Sequence, residues 1–482
     1  MPERRGEPLF PLMGTTRREV YDYGQTEGII SSRRISIWLA VLAVLFIAHP
    51  PPSGALIENS ISDSATSGAP AQISADSKPA ARNQGELGYK LSAEKYTRPV
   101  AYNQGQYWIY FVTTTFALLI LWAMIWWKVA PRLRDWAESK SRRTWVQFLL
   151  YAPTLLLTFG VLLLPTDVWA QWHERKYGFS LQSWASWFGD WMTAKIATLL
   201  AGTLVIGLLY FVMRRRPRRW SLLLWMIAVP LMLLITFIQP VVIDPLFSTF
   251  EPLDRSHPEL VDSIETIVAR AGLVVPREHI YLLKVGDKLA EEWATSEGFG
   301  PTKRIFISDT IIASEPGPAI LPQLAHEIGH YVLLLDWISF AIGVLLSLGL
   351  LYLVDRVFVR AVDRWGSEWS VHGPWDWASL PVLALILGLV VVALTPAING
   401  LSRYREQEAD RCGLELVHGI VPNAGETAAQ AFQKIAESGL SDPAPPEFVR
   451  WWLFDHPPAN ERIIFYRTYD PWTHGGEPRY VK

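Results

Sequence analysis

Leu321 to Leu335 reads LPQLAHEIGHYVLLL, and the pattern His326-Glu327-x-x-His330 at its centre decides how the chain is organised. Four residues along an α-helix turn about 400° and climb about 6 Å, so the two imidazoles leave one face and can close on a single metal ion. Glu327, rotated about 100° from His326, can reach a water on that ion without taking a coordination position, as a general base must. Leu321, Leu324, Ile328 and the run Val332 to Leu335 make this a buried helix, where two histidines and a glutamate would be costly without a partner. A metal supplies that partner.

A catalytic zinc keeps three protein ligands and one open position, so a third ligand is needed from downstream. The best source is Leu401 to Leu416, LSRYREQEADRCGLEL. Glu406 and Asp410 stand four apart on a helix there, so Glu406 can ligate while Asp410 hydrogen-bonds a ligating histidine from behind. Glu408, about 160° round the helix from Glu406, and the lone Cys412 are the alternative ligands.

Half of the 482 residues are apolar, mean hydropathy is positive, and 23 tryptophans with 17 tyrosines exceed what a soluble enzyme of this size needs. This is the composition of a membrane protein. A formal net charge of −2 gives no pull toward nucleic acid, and the chain has neither a phosphate-cradling glycine loop nor a basic-aromatic reader. The lipid bilayer is therefore an expected partner, with no nucleic acid and no nucleotide, and a peptide or protein substrate is what the His-Glu-x-x-His pattern of a metalloprotease would take. One cysteine excludes an internal disulfide.

Residues 1–34 form a charged N-terminal tail, and 35–48 an apolar run that is short for a span and reads as a first transmembrane helix, a signal anchor or a cleaved signal peptide. Residues 49–106 are rich in Ser, Ala, Pro and Gly and read as an exposed low-complexity linker. Six longer apolar runs follow, at 107–127, 145–164, 194–213, 220–243, 337–354 and 377–398, each long enough for about 30 Å of hydrocarbon. Transmembrane helices two to five thus occupy 107–243 and helices six and seven 337–398. Asp167, Asp190, Lys195 and Gln239, within or beside these runs, suit a wet interior.

The remaining pieces, 244–336 with the His-Glu-x-x-His helix and 399–482 with the third ligand, must fold together as one peptidase domain if the metal site is to close. Within the first, Pro258 to Ala271 has the apolar repeat of a helix, and Lys303 to Thr310 alternates as a short strand just before the active helix, where zinc peptidases accept an extended peptide as an added strand. Asn423 to Gly439 reads as a small amphipathic helix.

His326-Glu327-x-x-His330 followed by Ser402-Arg403-x-x-Glu406-x-x-Ala409-Asp410 resembles the type I CAAX prenyl endopeptidases, integral-membrane zinc proteases with bacterial relatives. Pro240 to Leu253 (PVVIDPLFSTFEPL), Glu174 to Lys195, and Asp455-His456-Pro457-Pro458 with Arg462 match further motifs of that family. The resemblance implies a mainly α fold: a polytopic membrane protein of about seven transmembrane helices with a small α+β, gluzincin-like zinc peptidase domain. It also implies one Zn2+ per chain, His456 as an oxyanion donor, Arg462 as a residue orienting the site, and cleavage of C-terminal tails beside a prenylated cysteine. One position departs from the pattern. The family's Asn-Ala-x-x-x-Gly appears as Trp293 to Gly298, with tryptophan in place of asparagine.

In a bacterium the same chemistry would serve quality control of membrane proteins. A transporter, or a zinc-binding scaffold without catalysis, are the rival classes; no internal repeat supports the first and an intact Glu327 opposes the second. The side of the membrane is contested. Lys128 to Arg143 and Arg214 to Arg219 crowd the loops after spans two and four with cations, which puts those loops in the cytosol and the zinc domain outside, whereas the resemblance implies a cytosolic catalytic domain.

Overall fold

The computed structural model describes residues 88, 93–238, 250–283, 294–297, 304–314, 317–473 and 475–481. The run at 35–48, nearly all of the linker before residue 93, most of Pro240 to Leu253, and Trp293 lie outside these residues.

The apolar runs at 145–164, 194–213 and 337–354 sit inside helices that outlast them, and those at 107–127 and 377–398 fall almost wholly within longer helices. Before residue 239 come α1 (Ala93–Trp126), α2 (Val129–Lys140), α3 (Thr144–Tyr177), α4 (Trp184–Arg215) and α5 (Trp220–Ile238). Among the described residues five helices are long and apolar enough to cross a membrane: α1, α3, α4 and the two described below, while α5 is a shorter apolar helix. At 1.5 Å per residue these five are about 48 to 57 Å long, so each projects well beyond a hydrocarbon layer of about 30 Å.

After α5 the chain makes β1 (Phe250–Pro252), α6 (Pro258–Arg270), β2 (Ile280–Leu283), β3 (Ala294–Glu297), β4 (Arg304–Ser308), α7 (Asp309–Ser314) and α8 (Gly317–Val332). The sheet order is β1-β2-β4-β3, with β2 and β4 parallel and the outer pairs antiparallel. The expected strand at 303–310 is therefore β4, but it lies inside the sheet with a neighbour on each side, so a peptide cannot add to it. β3 is the outer strand on that flank. Four consecutive residues of β4, Ile305 to Ser308, are buried, which is why its apolar alternation is weak.

At Leu333 and Leu334 the chain turns, with Leu334 in the left-handed region at φ 51°, and continues as α9 (Leu335–Trp369). Then comes α10 (Leu380–Val417), 38 residues without a break. The sequence boundary expected at 398 falls in the middle of this helix. Apolar at its start, α10 leaves the membrane segment through Pro396 and carries on into a stretch rich in Leu, Arg, Glu and Ala, all good helix formers. Helices α11 (Ala424–Ser438), α12 (Glu447–Leu453) and α13 (Ala459–Thr468) complete the fold.

One apolar core joins the elements before α9 to the second half of α10 and the helices after it. Ile264 and Ile267 of α6, Ile280 of β2, Ile307 of β4 and Leu324 of α8 share it with Cys412 and Leu416 of α10, Ala428 of α11 and Ile463 of α13, all essentially inaccessible to solvent. Each such aliphatic side chain contributes roughly 1.5–3 kcal/mol by leaving water. A second core, from Ala117 and Tyr151 to Phe358 and Leu387, holds the membrane helices together.

Candidate metal centre

Two glycines bring the ligand-bearing helices together. A Cβ on Gly413 of α10 would lie 2.7 Å from the backbone nitrogen of His326, and one on Gly329 of α8 would lie 2.9 Å from the carbonyl oxygen of Ala409. With hydrogen in both places, α8 and α10 cross backbone against backbone, and Glu406 reaches the two histidines.

His326 Nε2 lies 3.2 Å from His330 Nε2 and 3.3 Å from Glu406 Oε2, and His330 Nε2 lies 3.4 Å from the same oxygen. Two ligands each about 2.05 Å from a tetrahedral zinc stand about 3.3 Å apart. The three donor atoms are thus already spaced as such an ion requires. All three side chains are buried, and neither Glu406 oxygen finds a hydrogen bond among the described residues. A carboxylate left in that state is costly, and a bound cation would satisfy it.

Behind His326 stands Asp410, its Oδ1 2.8 Å from Nδ1 of the ring, the partner that fixes a metal-ligating imidazole. Arg462 grips Asp410 with Nε to Oδ2 at 2.9 Å and Nη2 to Oδ1 at 2.5 Å, and the Tyr466 hydroxyl donates to Oδ1 at 2.5 Å. The guanidinium also lies 4.0 Å over the ring of Phe432. Arg462 thus holds Asp410 in place, and its Nη2 also lies 3.4 Å from His326 Nδ1. Glu327 is only partly buried between the buried His326 and Ile328. His456 turns Nε2 to within 3.4 Å of Glu406 Oε2, and its Nδ1 meets Asp455 at 2.9 Å.

Desolvation alone would lower the pKa of both His326 and His456, but the carboxylates of Asp410 and Glu406 around the first, and of Glu406 and Asp455 around the second, raise each to about 9. The donor set is short of positive charge, which a divalent ion would supply. The alternative ligands are engaged elsewhere: Glu408 pairs with Arg411 at 2.6 Å and Arg479 at 3.0 Å, and Cys412 is packed in the core with its sulfur in no metal-binding cluster among the described residues.

Tyr466 and Phe432 were not singled out in the sequence. Tyr466 follows Arg462 by four residues and so shares its face of α13, a spacing that carries the signal once Arg462 is suspected. Nothing in the sequence pairs Phe432 with Arg462.

Long apolar helices joined to a His-Glu-x-x-His helix and a third buried carboxylate define a membrane metallopeptidase. The family model described as CAAX prenyl protease N-terminal, five membrane helices, matches residues 79–249, and that described as Peptidase family M48 matches residues 254–469. An uncharacterized metalloprotease, YhfN, of Bacillus subtilis is 32% identical over 335 residues, 70% of this chain and 76% of that one. A CAAX prenyl protease 1 homolog of Oryza sativa is 24% identical, covering 77% of this chain and 87% of its own. The crystal structure of S. mikatae Ste24p shares the fold, with a TM-score of 0.62 at 20% identity over 78% of this chain and 89% of the other. The chain belongs to peptidase family M48, and it is a multi-pass membrane metalloendopeptidase. The resemblance drawn from its motifs is borne out.

Proposed function

We propose that the metal is zinc, held by His326, His330 and Glu406, and that the enzyme hydrolyses peptide bonds of membrane-associated substrates. The spacing of the three donors, with the buried Glu406 carboxylate facing both imidazoles, is the observation that carries this reading. Zinc in such a site supplies Lewis acidity, polarising a carbonyl and making water nucleophilic near neutral pH. Glu327 takes the proton of the attacking water and delivers it to the leaving amine. His456, whose Nε2 faces the ligand cluster, donates to the developing oxyanion. Asp410, clamped by Arg462 and Tyr466, keeps His326 in the tautomer and orientation that leave Nε2 free to ligate.

The substrate adds as a strand along β3, the outer strand of the sheet, and not along β4. By analogy with the CAAX prenyl proteases among its relatives, it presents a C-terminal tail beside a prenylated cysteine. Trp293, where the family pattern has asparagine, supports a second reading in which less specific membrane-protein substrates are taken, as for a bacterial quality-control protease. With residues 35–48 and α5 counted as spans, the chain crosses the membrane seven times, and the peptidase domain is split into 244–336 and 399–482 around the last two.

The test is hydrolysis of internally quenched peptides, with and without an S-farnesyl cysteine, by the purified full chain. Glu327→Gln is expected to keep one metal per chain while losing about 10²–10⁴-fold in kcat, and Glu406→Ala to lose both metal and activity. A chelator blocks fragment release by the wild-type protein. Full activity of Glu327→Gln sinks the assignment, and failure to cleave any peptide with zinc bound leaves a scaffold.

A further inference from the structure

His456 is the one proposed catalytic group outside the two long helices, on the short link between α12 and α13, and what holds it there is visible. The last carbonyls of a helix have no partner within it. In α12 they are met from α10. Asn399 Nδ2 donates to Trp452 O at 2.6 Å, while Arg403 Nη1 reaches Arg450 O at 3.2 Å, Trp451 O at 3.5 Å and Phe454 O. Asn399 and Arg403 precede Glu406 by seven and three residues, so all three leave α10 on one face. Across the link, Arg450 of α12 pairs with Glu461 of α13 at 2.8 Å, closing the loop that carries His456.

We propose that Arg403, assisted by Asn399, is a positioning residue for His456: its Nη1 donates to the carbonyls at the end of α12 and sets the distance from His456 to the metal ligands. The inference rests on the role given to His456 above. The two N–H groups of Nη1 lie in the rigid plane of the guanidinium and so point in fixed directions, whereas a lysine ammonium is a point charge on a flexible stem and would hold the carbonyls loosely. The same helix thus supplies a ligand, Glu406, and the clamp that registers an oxyanion donor against it. A shift of about 1 Å in such a donor can cost on the order of 10²-fold in rate.

The experiment is a double-mutant cycle on the full chain in detergent micelles, with a quenched peptide that it cleaves. Arg403→Met is expected to lower kcat by about 10–100-fold, leaving KM and bound zinc unchanged, and Arg403→Lys to restore only part of it. In a His456→Gln background the same Arg403→Met change is expected to cost less than about twofold, because the group it positions is gone. Equal losses in both backgrounds, or loss of zinc with Arg403→Met, overturn the proposal. Full activity of His456→Gln alone would instead remove the role of His456, and this inference with it. Should Arg403→Met fail to fold, Asn399→Ala, which deletes a single hydrogen bond to Trp452 O, enters the cycle in its place.

Discussion

Asp410 contributes no donor atom to the metal cluster, yet His326, Arg462 and Tyr466 all converge on its two oxygens. Asp410→Ala leaves Nδ1 of His326 without its acceptor and Arg462 as a buried cation without its counter-charge. We expect zinc affinity to fall by about 10–100-fold, measured by competition with a chromophoric chelator, with Arg462→Met giving a smaller loss because the Asp410–His326 contact survives. An unchanged affinity in Asp410→Ala would mean that His326 is oriented by packing alone. At this scale the sequence was most legible. The spacing of His326 and His330, and of Glu406 and Asp410, is set by helical geometry and needs no knowledge of the fold. Arg462 could be tied to the site only through a motif, since its partner lies 52 residues away and no local rule measures that distance.

The crossing of α8 and α10 is a property of the two helices together. Gly413→Ala places a methyl against the His326 backbone, where no flexible side chain can yield, so the helices must separate. We expect about 1–3 kcal/mol of lost stability, read as an earlier thermal transition, together with loss of stoichiometric zinc. Gly272, where a Cβ meets nothing within 4 Å but φ is +68°, is a control that strains the backbone away from the site. Gly272→Ala should lower stability and retain zinc.

The junction between α1 and the loop after α11 gives a second expectation at this scale. Asp442, 4% exposed, accepts from the Tyr107 hydroxyl at 3.0 Å, and burial raises its pKa above the ordinary carboxyl value despite that bond and one from Ala444 N. A raised folded-state pKa means stability that is full below the unfolded carboxyl pKa of about 3.9 and is lost as pH rises through the folded value. Asp442→Asn should therefore raise Tm at neutral pH and lose its advantage on acidification; a variant less stable at neutral pH would count against a buried charge there. Apolar periodicity revealed the helices but not their lengths. It stops near residue 398, while α10 runs on to Val417 on helix propensity and on packing against α8. Likewise Lys303 to Thr310 was legible as a strand, but its neighbours in the sheet are set by β2 and β3, which no local pattern links to it.

Across the whole molecule, charge separates along the helices. Eleven cations lie between Lys128 and Arg143 and between Arg214 and Arg219. Arg134 reaches Ser370 O at 3.1 Å and pairs with Asp376, and Arg214 reaches Trp375 O at 3.3 Å, so the links after α1, after α4 and between α9 and α10 gather at one end of the bundle. The metal centre is at the other. There, Asn103 donates to Leu440 O at 2.6 Å and Tyr107 meets Asp442, both at least 19 residues back along α1 from its end at Trp126. Each loop was readable by its composition, but their convergence opposite the metal was not, because it depends on which helix ends pack together. Lys and Arg in short loops stay on the cytoplasmic side, so this arrangement predicts a metal centre on the outer face. The resemblance to the CAAX proteases implied the reverse. Alkaline phosphatase fused after Arg219 should be inactive and the same reporter at Lys482 active, with a fluorescent protein giving the opposite pattern. Phosphatase activity after Arg219 but not at Lys482 would show that packing and the family topology override the charge rule, and would return the site to substrates whose tails lie in the cytosol.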